Sequence, residues 1–386
     1  MNLSSLDTPS YIFDLDILQK RAKYLQDKIS PVATLCYAMK ANSFIVKALE
    51  TIVDRFEVCS PGEFCICENE KLPMEKLVIS GVYKNEADVE RMLKCYDNIG
   101  TYTAESKEQF MLINKYAKQY NRKVKMLLRL SSGNQFGMDK TDITEIIKDR
   151  ASFDNIEIVG IQFFSGTQKN SIKRLTRELN SLDEFIKTLK DECDFSSQEL
   201  EFGTGFPISY FTDDKPFDED AFLDDFFEIL NKMTFKGKIT LEVGRSIAAS
   251  CGTYLTKVCD VKTNSNQNYC IVDGGIHHMN YYGQVMAMRV PKFQHFNKEG
   301  NDKKLWNICG ALCTSNDVLL KQIELTNLQK GDKIAFYNTG AYSTNEGIAL
   351  LLSRDLPSVY FMTEGGFKCV RKNISTYPLN SPNYIK

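Results

Sequence analysis

One stretch decides how the rest of the chain is interpreted: Val32-Ala33-Thr34-Leu35-Cys36-Tyr37-Ala38-Met39-Lys40-Ala41-Asn42. It begins with an apolar run typical of a buried strand and ends in a polar turn, so that Lys40 is expected at the strand end. A partly desolvated lysine in that setting has a lowered pKa and offers an amine that can form a Schiff base. Taken alone, Lys40 is better interpreted as an ordinary surface lysine, so the rest of the chain must supply the other parts of a site.

Apolar and amphipathic stretches alternate from about residue 17 to 250. There are eight strand candidates, at residues 34–39, 56–59, 77–80, 99–103, 124–130, 156–164, 200–202 and 239–243. Helix candidates between them include 44–54, 86–95, 107–119 and 174–191. This alternation predicts parallel strands joined by right-handed crossovers. Eight such units favour an α/β fold with a (β/α)8 TIM-like barrel, and a doubly wound sheet is the alternative.

The pattern changes after about residue 252, where turn-rich stretches separate five further strand candidates: 253–261, 269–272, 306–308, 333–336 and 359–362. Little helix is predicted between them, which indicates a C-terminal β-domain. A first strand candidate at 10–15 precedes the barrel pattern and is expected to pair with that domain. The predicted boundaries are 17–252 for the barrel, and 1–16 with 253–386 for the β-domain.

Composition excludes several classes of function. Of the 386 residues, 43% are hydrophobic and 25% are charged, which is typical of a globular protein, and the net charge is -2. No basic stretch predicts nucleic-acid binding. The N-terminal residues are polar, without the pattern of an export signal, and no apolar run approaches the roughly 20 residues that span a bilayer. We therefore expect a cytoplasmic protein that binds neither nucleic acid nor membrane.

The 12 cysteines stand singly or in loose pairs such as Cys65/Cys67 and Cys309/Cys313, and we expect them to be free thiols. Neither pair has C-x-x-C spacing and the chain has only three histidines, so no metal site is predicted. His277 and His278 are adjacent. On a strand they would point to opposite faces and would not chelate one ion.

Polar residues and glycines recur at or just beyond the ends of the barrel strand candidates: Lys40, Ser60, Gly81, Glu105, Arg129, 164–167, 203–205 and Glu242. Barrel active sites lie at the carboxyl ends of strands, so these residues are predicted to surround one site. The peptide Gly203-Thr204-Gly205 allows backbone N–H groups to approach a phosphate, although most such peptides are simple turns. In Glu242-Val243-Gly244-Arg245, the carboxylate suits a protonated pyridine nitrogen and the arginine suits a phosphate. Alone, this tetrapeptide is better interpreted as a strand-end ion pair.

Lysine imines belong to aldolase-type enzymes and to enzymes that use pyridoxal 5'-phosphate (PLP). Separately, Cys313 would be a small buried residue and Tyr342 a packing residue. Together, six motifs over residues 11–361 resemble the fold-type III PLP-dependent decarboxylases, the diaminopimelate/ornithine/arginine decarboxylase family. In order they are Tyr37-Ala38-Met39-Lys40-Ala41-Asn42, Ser60-Pro61-Gly62-Glu63, Gly203-Thr204-Gly205-Phe206, Glu242-Val243-Gly244-Arg245, Cys313-Thr314-Ser315-Asn316-Asp317 and Gly340-Ala341-Tyr342.

The resemblance implies a barrel followed by a β-domain, in a head-to-tail homodimer with shared active sites. Lys40 would carry the internal aldimine, Glu242 would keep the pyridine nitrogen protonated, and Cys313 of the partner subunit would protonate the quinonoid carbon. Thr314 and Asp317 would lie at the substrate. The rest of the cofactor-binding set would be Phe164, Thr167, Gly203, Thr204, Gly205, Gly244, Arg245 and Tyr342, of which Gly203, Gly205, Arg245 and Tyr342 would bind the phosphate.

The sequence departs from the family around the cofactor. Phe164 stands where the family usually has a histidine stacked on the PLP ring; an aromatic ring can still stack there, but without a polar role. Thr204 replaces the middle glycine of the loop, which is tolerable where the backbone needs no positive φ. Val243 replaces a proline, which is a mild change.

Two further departures concern the substrate. Ornithine and diaminopimelate decarboxylases carry an acidic residue directly after the catalytic cysteine, where this chain has Thr314. Diaminopimelate enzymes also place an Arg-Pro pair soon after Asp-Gly-Gly. Here Asp273-Gly274-Gly275 is followed by His277-His278 and Tyr281-Tyr282, and the next arginine is Arg289. We therefore expect a substrate whose distal charge is absent or masked, such as an amino acid joined to a carrier protein or to another small acid in secondary-metabolite biosynthesis.

Three alternatives stay open. One is a diaminopimelate, ornithine or lysine decarboxylase proper. Another is a PLP racemase on the same barrel, against which the motif from Cys313 to Asp317 argues. The third is a non-catalytic homologue that regulates an active partner. Phe164 and Thr204 keep this third alternative open. The presence together of Lys40, Glu242, Arg245, Cys313 and Tyr342 argues against it.

Overall fold

The computed structural model describes residues 3–296 and 300–382, and the chain divides into two compact units. The first, called the barrel unit below, consists of Arg21–Pro207 and Asp218–Ile247. The second, called the β-unit, consists of Met1–Lys20, Ile208–Phe217 and Ala248–Lys386. Each is described by itself.

The barrel unit contains a closed barrel of eight strands, each parallel to its neighbours. These strands are β2 (Thr34–Ala38), β3 (Arg55–Val58), β4 (Leu77–Ile79), β5 (Thr101–Ala104), β6 (Val124–Leu130), β7 (Ile156–Phe164), β8 (Glu199–Gly203) and β9 (Lys238–Val243). The barrel closes where β2 pairs with β9, with Cys36 opposite Glu242. The predicted (β/α)8 barrel is confirmed, and the doubly wound alternative is wrong.

The helices are α1 (Leu15–Ile29), α2 (Val46–Leu49), α3 (Pro61–Asn69), α4 (Glu86–Cys95), α5 (Lys107–Gln119), α6 (Lys140–Lys148), α7 (Ile172–Cys193), α8 (Glu219–Lys232) and α9 (Arg245–Ala248). Helix α7 shows why they pack, since Leu175, Leu179, Leu182, Ile186 and Leu189 recur every three or four residues and are all buried. The predicted helix at 44–54 is instead a 3-10 turn followed by the single turn of α2. Within the described residues, no helix has both the length and the apolar character needed to cross a membrane.

Charged residues occupy alternate positions on three barrel strands. Arg55 and Glu57 lie on β3, and Glu199 and Glu201 lie on β8. Glu242 lies on β9. Because side chains two residues apart share a face, these groups form layers on the inner face of the barrel. The lower layer is closed by Arg55 Nη1, which lies 2.6 Å from Glu199 Oε1.

The β-unit contains a mixed sheet with the order β14-β13-β11-β10-β1-β16-β17, to which β12 and β15 are attached. Its strands are β1 (Ser10–Asp14), β10 (Gly252–Asn264), β11 (Gln267–Val272), β12 (Phe293–Phe296), β13 (Lys303–Cys309), β14 (Val318–Thr326), β15 (Lys333–Tyr337), β16 (Ser358–Thr363) and β17 (Gly366–Arg371). Strand β1 runs antiparallel to β10 and parallel to β16. The expected pairing of the first strand with the β-domain is confirmed.

The segment Ile208–Phe217 belongs to the β-unit, although it falls inside the range 17–252 predicted for the barrel. Tyr210 packs against Tyr281 with ring centroids 5.4 Å apart. Asp213 and Asp214 both accept hydrogen bonds from Arg289, at 2.8 and 2.7 Å. These contacts join the segment to the β-unit. No apolar pattern in the sequence predicts them.

Candidate active site

Lys40 follows β2 in a short 3-10 turn, Met39–Ala41, as the opening sequence predicted. Its Nζ lies 2.8 Å from Glu57 Oε2, and its side chain is 35% exposed while that of Glu57 is 2% exposed. Burial alone would raise the pKa of Glu57, but the adjacent ammonium holds that pKa below its usual value. The thiol of Cys59 completes the group, 3.3 Å from Glu57 Oε1. The structure thus gives Lys40 a buried counter-charge.

The peptide Ser60-Pro61-Gly62-Glu63 forms the start of α3. The Ser60 hydroxyl accepts a hydrogen bond from the Glu63 backbone N–H at 3.1 Å, and Pro61 occupies the first helical position. The Glu63 carboxylate accepts a second bond from the Cys59 N–H at 2.6 Å. This motif therefore fixes the conformation of the backbone between Glu57 and α3.

Phe164 ends β7 and lies against the glycine loop. A side chain at Gly203 would collide with the Phe164 ring, so only glycine fits beneath it. The ring centroid is 5.7 Å from Lys40 Nζ and also 5.7 Å from Lys169 Nζ. The aromatic ring thus occupies a place between two ammonium groups.

The loops at 164–169 and 203–205 lie together. Gly205 has φ +61°, in the left-handed region, and a side chain there would collide with the Gly166 carbonyl oxygen. Arg245 Nε donates to Thr167 Oγ1 at 3.1 Å. Thr204 adopts no positive φ, and its hydroxyl donates to the Glu242 carbonyl oxygen at 3.1 Å. The Thr167 hydroxyl, the Arg245 guanidinium and the glycine loop 203–205 therefore lie close together.

Glu242, the residue before the last of β9, lies in a carboxylate cluster. Gln162 Nε2 donates to Glu242 Oε1 at 2.8 Å. Burial and the charge of Glu57 raise the pKa of Glu242. Burial and the charge of Glu242 raise the pKa of the fully buried Glu201 well above its usual value. Because two adjacent buried carboxylates cannot both ionise, Glu201 is the one that keeps its proton.

A second lysine lies at the same end of the barrel. Lys84 Nζ donates to the Gly81 carbonyl oxygen at 2.9 Å, and burial lowers the pKa of Lys84 to about 8 despite the charge of Glu105. Glu105 itself is held by Arg129, whose Nη1 lies 2.8 Å from Glu105 Oε1. Both ends of this ion pair are buried.

In the β-unit, Tyr342 has φ +64° and follows a backbone crossing in which a side chain at Gly340 would collide with the Ala248 carbonyl oxygen. Cys313 is exposed and Thr314 is half-buried, in the loop between β13 and β14.

Asp317, expected at the substrate, has a different setting. It is 2% exposed, and its carboxylate oxygens accept the backbone N–H groups of Ile276 at 2.9 Å and Leu312 at 2.8 Å. Side chains at Gly275 or Gly310 would collide with this carboxylate. Asp317 therefore holds the backbone of its loop in place.

His277 and His278 lie in a turn, so the expectation based on a strand is wrong about their placement: their ring centroids lie 3.7 Å apart. His278 Nδ1 is 3.0 Å from the Tyr254 hydroxyl. Burial lowers the pKa of His277 to about 4 and of His278 to about 3, so both are neutral at pH 7. No group of three or more metal-ligating side chains occurs within residues 3–296 and 300–382.

Comparison with known proteins identifies the family. The family model described as "Pyridoxal-dependent decarboxylase, pyridoxal binding domain" matches residues 15–249. The chain belongs to this family. It is therefore a PLP-dependent amino-acid decarboxylase, and the resemblance drawn from the motifs is confirmed.

Its relatives differ in substrate. The chain is 23% identical over 95% of its length to the L-glutamyl-[BtrI acyl-carrier protein] decarboxylase of Niallia circulans, covering 91% of that protein. It is 25% identical over 87% of its length to the diaminopimelate decarboxylase of Aquifex aeolicus, covering 82% of it. The crystal structure of diaminopimelate decarboxylase from M. jannaschii with L-lysine shares the fold, with TM-score 0.85, 23% identity, and coverage of 99% of this chain and 93% of that one.

The residues of the barrel unit fit PLP. The cofactor has an aldehyde, a basic ring nitrogen and a phosphate, and this unit offers an amine, a buried carboxylate and a phosphate-type loop. The amine is Lys40, the carboxylate is Glu242, and the loop is made by Gly205 with Thr167 and Arg245. The left-handed Gly205, which has no room for a side chain, is the feature most specific to such a loop.

Five residues at this site were missed from the sequence: Glu57, Lys84, Gln162, Lys169 and Glu201. Three of them carried a usable signal. Glu57, Gln162 and Glu201 are polar residues directly between apolar neighbours in their strands, on the same alternation as the residues that line the barrel. Lys169 and Lys84 lie in loops, where lysine is common.

Proposed function

We propose that this decarboxylase acts on an amino acid whose distal end carries no free charge, as in an amino acid joined to a carrier protein or to another small acid. One observation carries the proposal. The loop from Cys313 to Asp317 offers no carboxylate to a distal ammonium, because position 314 is threonine and Asp317 is buried with its oxygens on backbone N–H groups. A free diamino acid would leave its ammonium unpaired there.

The nearest arginine after Asp273-Gly274-Gly275 is equally occupied. Arg289 donates to Asp213 and Asp214, so its guanidinium is committed to two aspartates of the same unit. A distal carboxylate such as that of diaminopimelate would have to displace them. The relative from Niallia circulans is named for a carrier-linked glutamyl substrate, which supports a masked distal end here.

PLP, once bound, supplies the electron sink that lets the α-carboxyl group leave as CO2. In our proposal, the Lys40 amine would bind the aldehyde carbon of PLP, and Glu57 would orient that amine. Glu242, which the Gln162 amide orients, would hold a proton on the ring nitrogen. Phe164 would pack on the ring. The phosphate would be held by Thr167, Gly203, Thr204, Gly205, Gly244, Arg245 and Tyr342. Cys313 would deliver a proton to the α-carbon.

We further propose a cytoplasmic homodimer in which Cys313 of each β-unit completes the partner's site. The exposure of Cys313 supports this arrangement, because a proton donor buried inside its own unit would not reach another subunit. Mixing Lys40→Ala and Cys313→Ala subunits tests it. Each variant alone should be inactive, and random re-pairing should restore roughly a quarter of wild-type activity through dimers with one intact site. Two inactive variants that stay inactive after re-pairing would contradict shared sites.

The substrate is tested by CO2 release from PLP-loaded protein. The panel pairs free glutamate, ornithine, lysine and diaminopimelate with glutamate carried as an acyl-carrier-protein thioester and with N-acylated diamino acids. Release should depend on Lys40 and should be at least about 10-fold faster on the masked member of each pair. A Thr314→Glu variant should gain activity on free diamino acids. Equal or faster turnover of free ornithine or diaminopimelate by the wild type would refute the masked-end proposal while leaving the decarboxylase intact.

A further inference from the structure

The ammonium of Lys169 is buried beside the glycine loop. Its side chain is 0% exposed, and its Nζ lies 3.0 Å from Glu178 Oε2 and 3.2 Å from the Gly203 carbonyl oxygen. Its Nζ is also 5.0 Å from the centroid of Phe202 and 5.7 Å from that of Phe164. Fully buried lysine side chains are uncommon, because a buried charge is costly unless it is paired.

Lys169 joins the two loops that meet at Thr167 and Gly205. Its backbone N–H donates to the Gly205 carbonyl oxygen at 2.8 Å, while its ammonium donates to the Gly203 carbonyl oxygen. Thr204 holds the same loop from the other side, through the Glu242 carbonyl oxygen. The loop 203–205 is therefore held at three consecutive residues.

Glu178 on α7 is the counter-ion, and it is shared. Its carboxylate accepts from Lys169, from the Ser165 hydroxyl at 2.7 Å and from Arg174 Nε at 3.0 Å. Two cations thus face one anion, so the cluster of Lys169, Arg174 and Glu178 keeps a net positive charge. Burial lowers the pKa of Lys169 and the charge of Glu178 opposes that shift. A surplus positive charge next to a glycine loop favours an anion there.

We propose that Lys169 is a positioning residue for the phosphate of PLP. Its ammonium fixes the loop 203–205 against the loop 164–169 and supplies buried positive charge beside them. The proposal rests on the assignment of these loops to the phosphate. It does not rest on the substrate, since it concerns cofactor affinity alone.

The test compares two aldehydes that differ only in the phosphate. Apoprotein is titrated with PLP and with pyridoxal, and the dissociation constants are read from the absorption change on Schiff-base formation. In Lys169→Met, affinity for PLP should fall about 10- to 100-fold, as expected for loss of a hydrogen-bonded charge. Affinity for pyridoxal should stay within about threefold. Lys173→Met, at an exposed lysine on α7, is the matched control and should change neither.

Because Lys169→Met leaves Glu178 without one cation, a second variant removes that complication. The double variant Lys169→Met/Glu178→Gln should fold and show the same selective loss for PLP. Glu178→Gln alone should keep the wild-type preference for PLP over pyridoxal, because Lys169 remains. A loss shared equally by PLP and pyridoxal, or PLP affinity unchanged in both Lys169 variants, would overturn the role of Lys169. Equal wild-type affinity for both aldehydes would instead overturn the phosphate assignment of the loops.

Discussion

Replacing His277 by leucine is expected to make this protein more resistant to acid. The imidazole is 2% exposed, and neither ring nitrogen has a hydrogen-bond partner within the described residues. Its burial lowers the pKa of His277 from 6.5 to about 4. The folded state therefore excludes a proton that the unfolded chain binds, so the stability contributed by neutral His277 is present above pH 6.5 and is lost as the pH falls towards 4.

The size of this effect follows from the shift. A change of 2.5 pKa units at 1.36 kcal/mol per unit corresponds to about 3 kcal/mol below pH 4, and to about 2.5 kcal/mol at pH 4.5. At pH 7.5 two other effects of the leucine oppose each other. Loss of a buried polar group that has no partner stabilises the fold by about 1 kcal/mol. The different shape of leucine packs less well and destabilises the fold by about 1 kcal/mol.

The assay is urea unfolding of His277→Leu and wild type at pH 7.5 and pH 4.5. At pH 7.5 the unfolding free energies of variant and wild type should agree within about 1 kcal/mol. Between pH 7.5 and pH 4.5 their difference should shift by about 2 to 3 kcal/mol in favour of the variant. His278→Leu is a comparison variant rather than a control: it removes the partner of the buried Tyr254 hydroxyl and should cost about 1 to 3 kcal/mol at pH 7.5. Because the pKa of His278 is lowered to about 3, this variant should also gain stability relative to wild type as the pH falls. A His277→Leu protein as acid-sensitive as wild type would refute this account of His277.

Three further outcomes are expected. Between pH 10.5 and pH 7, Lys84→Met should gain about 3 kcal/mol of unfolding free energy relative to wild type, because the lowered pKa of Lys84 destabilises the fold only while the unfolded lysine is charged; a difference independent of pH would argue against this. Glu201→Gln should leave the unfolding free energy within about 1 kcal/mol, because Glu201 is already protonated beside Glu242, and a larger loss would mean that Glu201 is ionised. Glu199→Leu should cost about 3 to 5 kcal/mol in urea unfolding, because it removes the close partner of Arg55 at 2.6 Å and leaves only Glu201 at 3.9 Å; adding Arg55→Leu should recover most of the loss, and no recovery would show that packing, not charge, sets it.

The barrel was predictable because short, mostly apolar strands alternate with amphipathic helices, although β3, β8 and β9 carry charged residues on the inner face. Each of the eight candidates coincides with a strand to within a few residues, and helices α4 and α5 have their predicted ends. The strands missed in the β-unit, β12, β14 and β17, are half-exposed and carry polar residues at inward and outward positions alike. Periodicity detects a strand only when burial differs between its faces.

The placement of Lys40 and Glu242 near strand ends was predictable from the sequence. The surroundings of a residue were not predictable where tertiary contacts decide them. Asp317 belongs to a motif that suggested a substrate contact, but its partners are the N–H groups of Ile276 and Leu312, and Ile276 is distant in sequence. Lys169 was overlooked for a different reason: it lies in a loop, where lysine is common, and its burial arises from contacts with Glu178 and the Gly203 carbonyl oxygen.

Strand β1 has a consequence for synthesis on the ribosome. Its two partners, β10 and β16, begin about 240 and 345 residues after it. At roughly 5 to 20 residues per second, the nascent chain carries this apolar segment without a partner for about 12 to 50 seconds before β10 emerges. During that interval an unpaired strand is open to pairing with other chains, so demand for a holding chaperone should be greatest at the N-terminus.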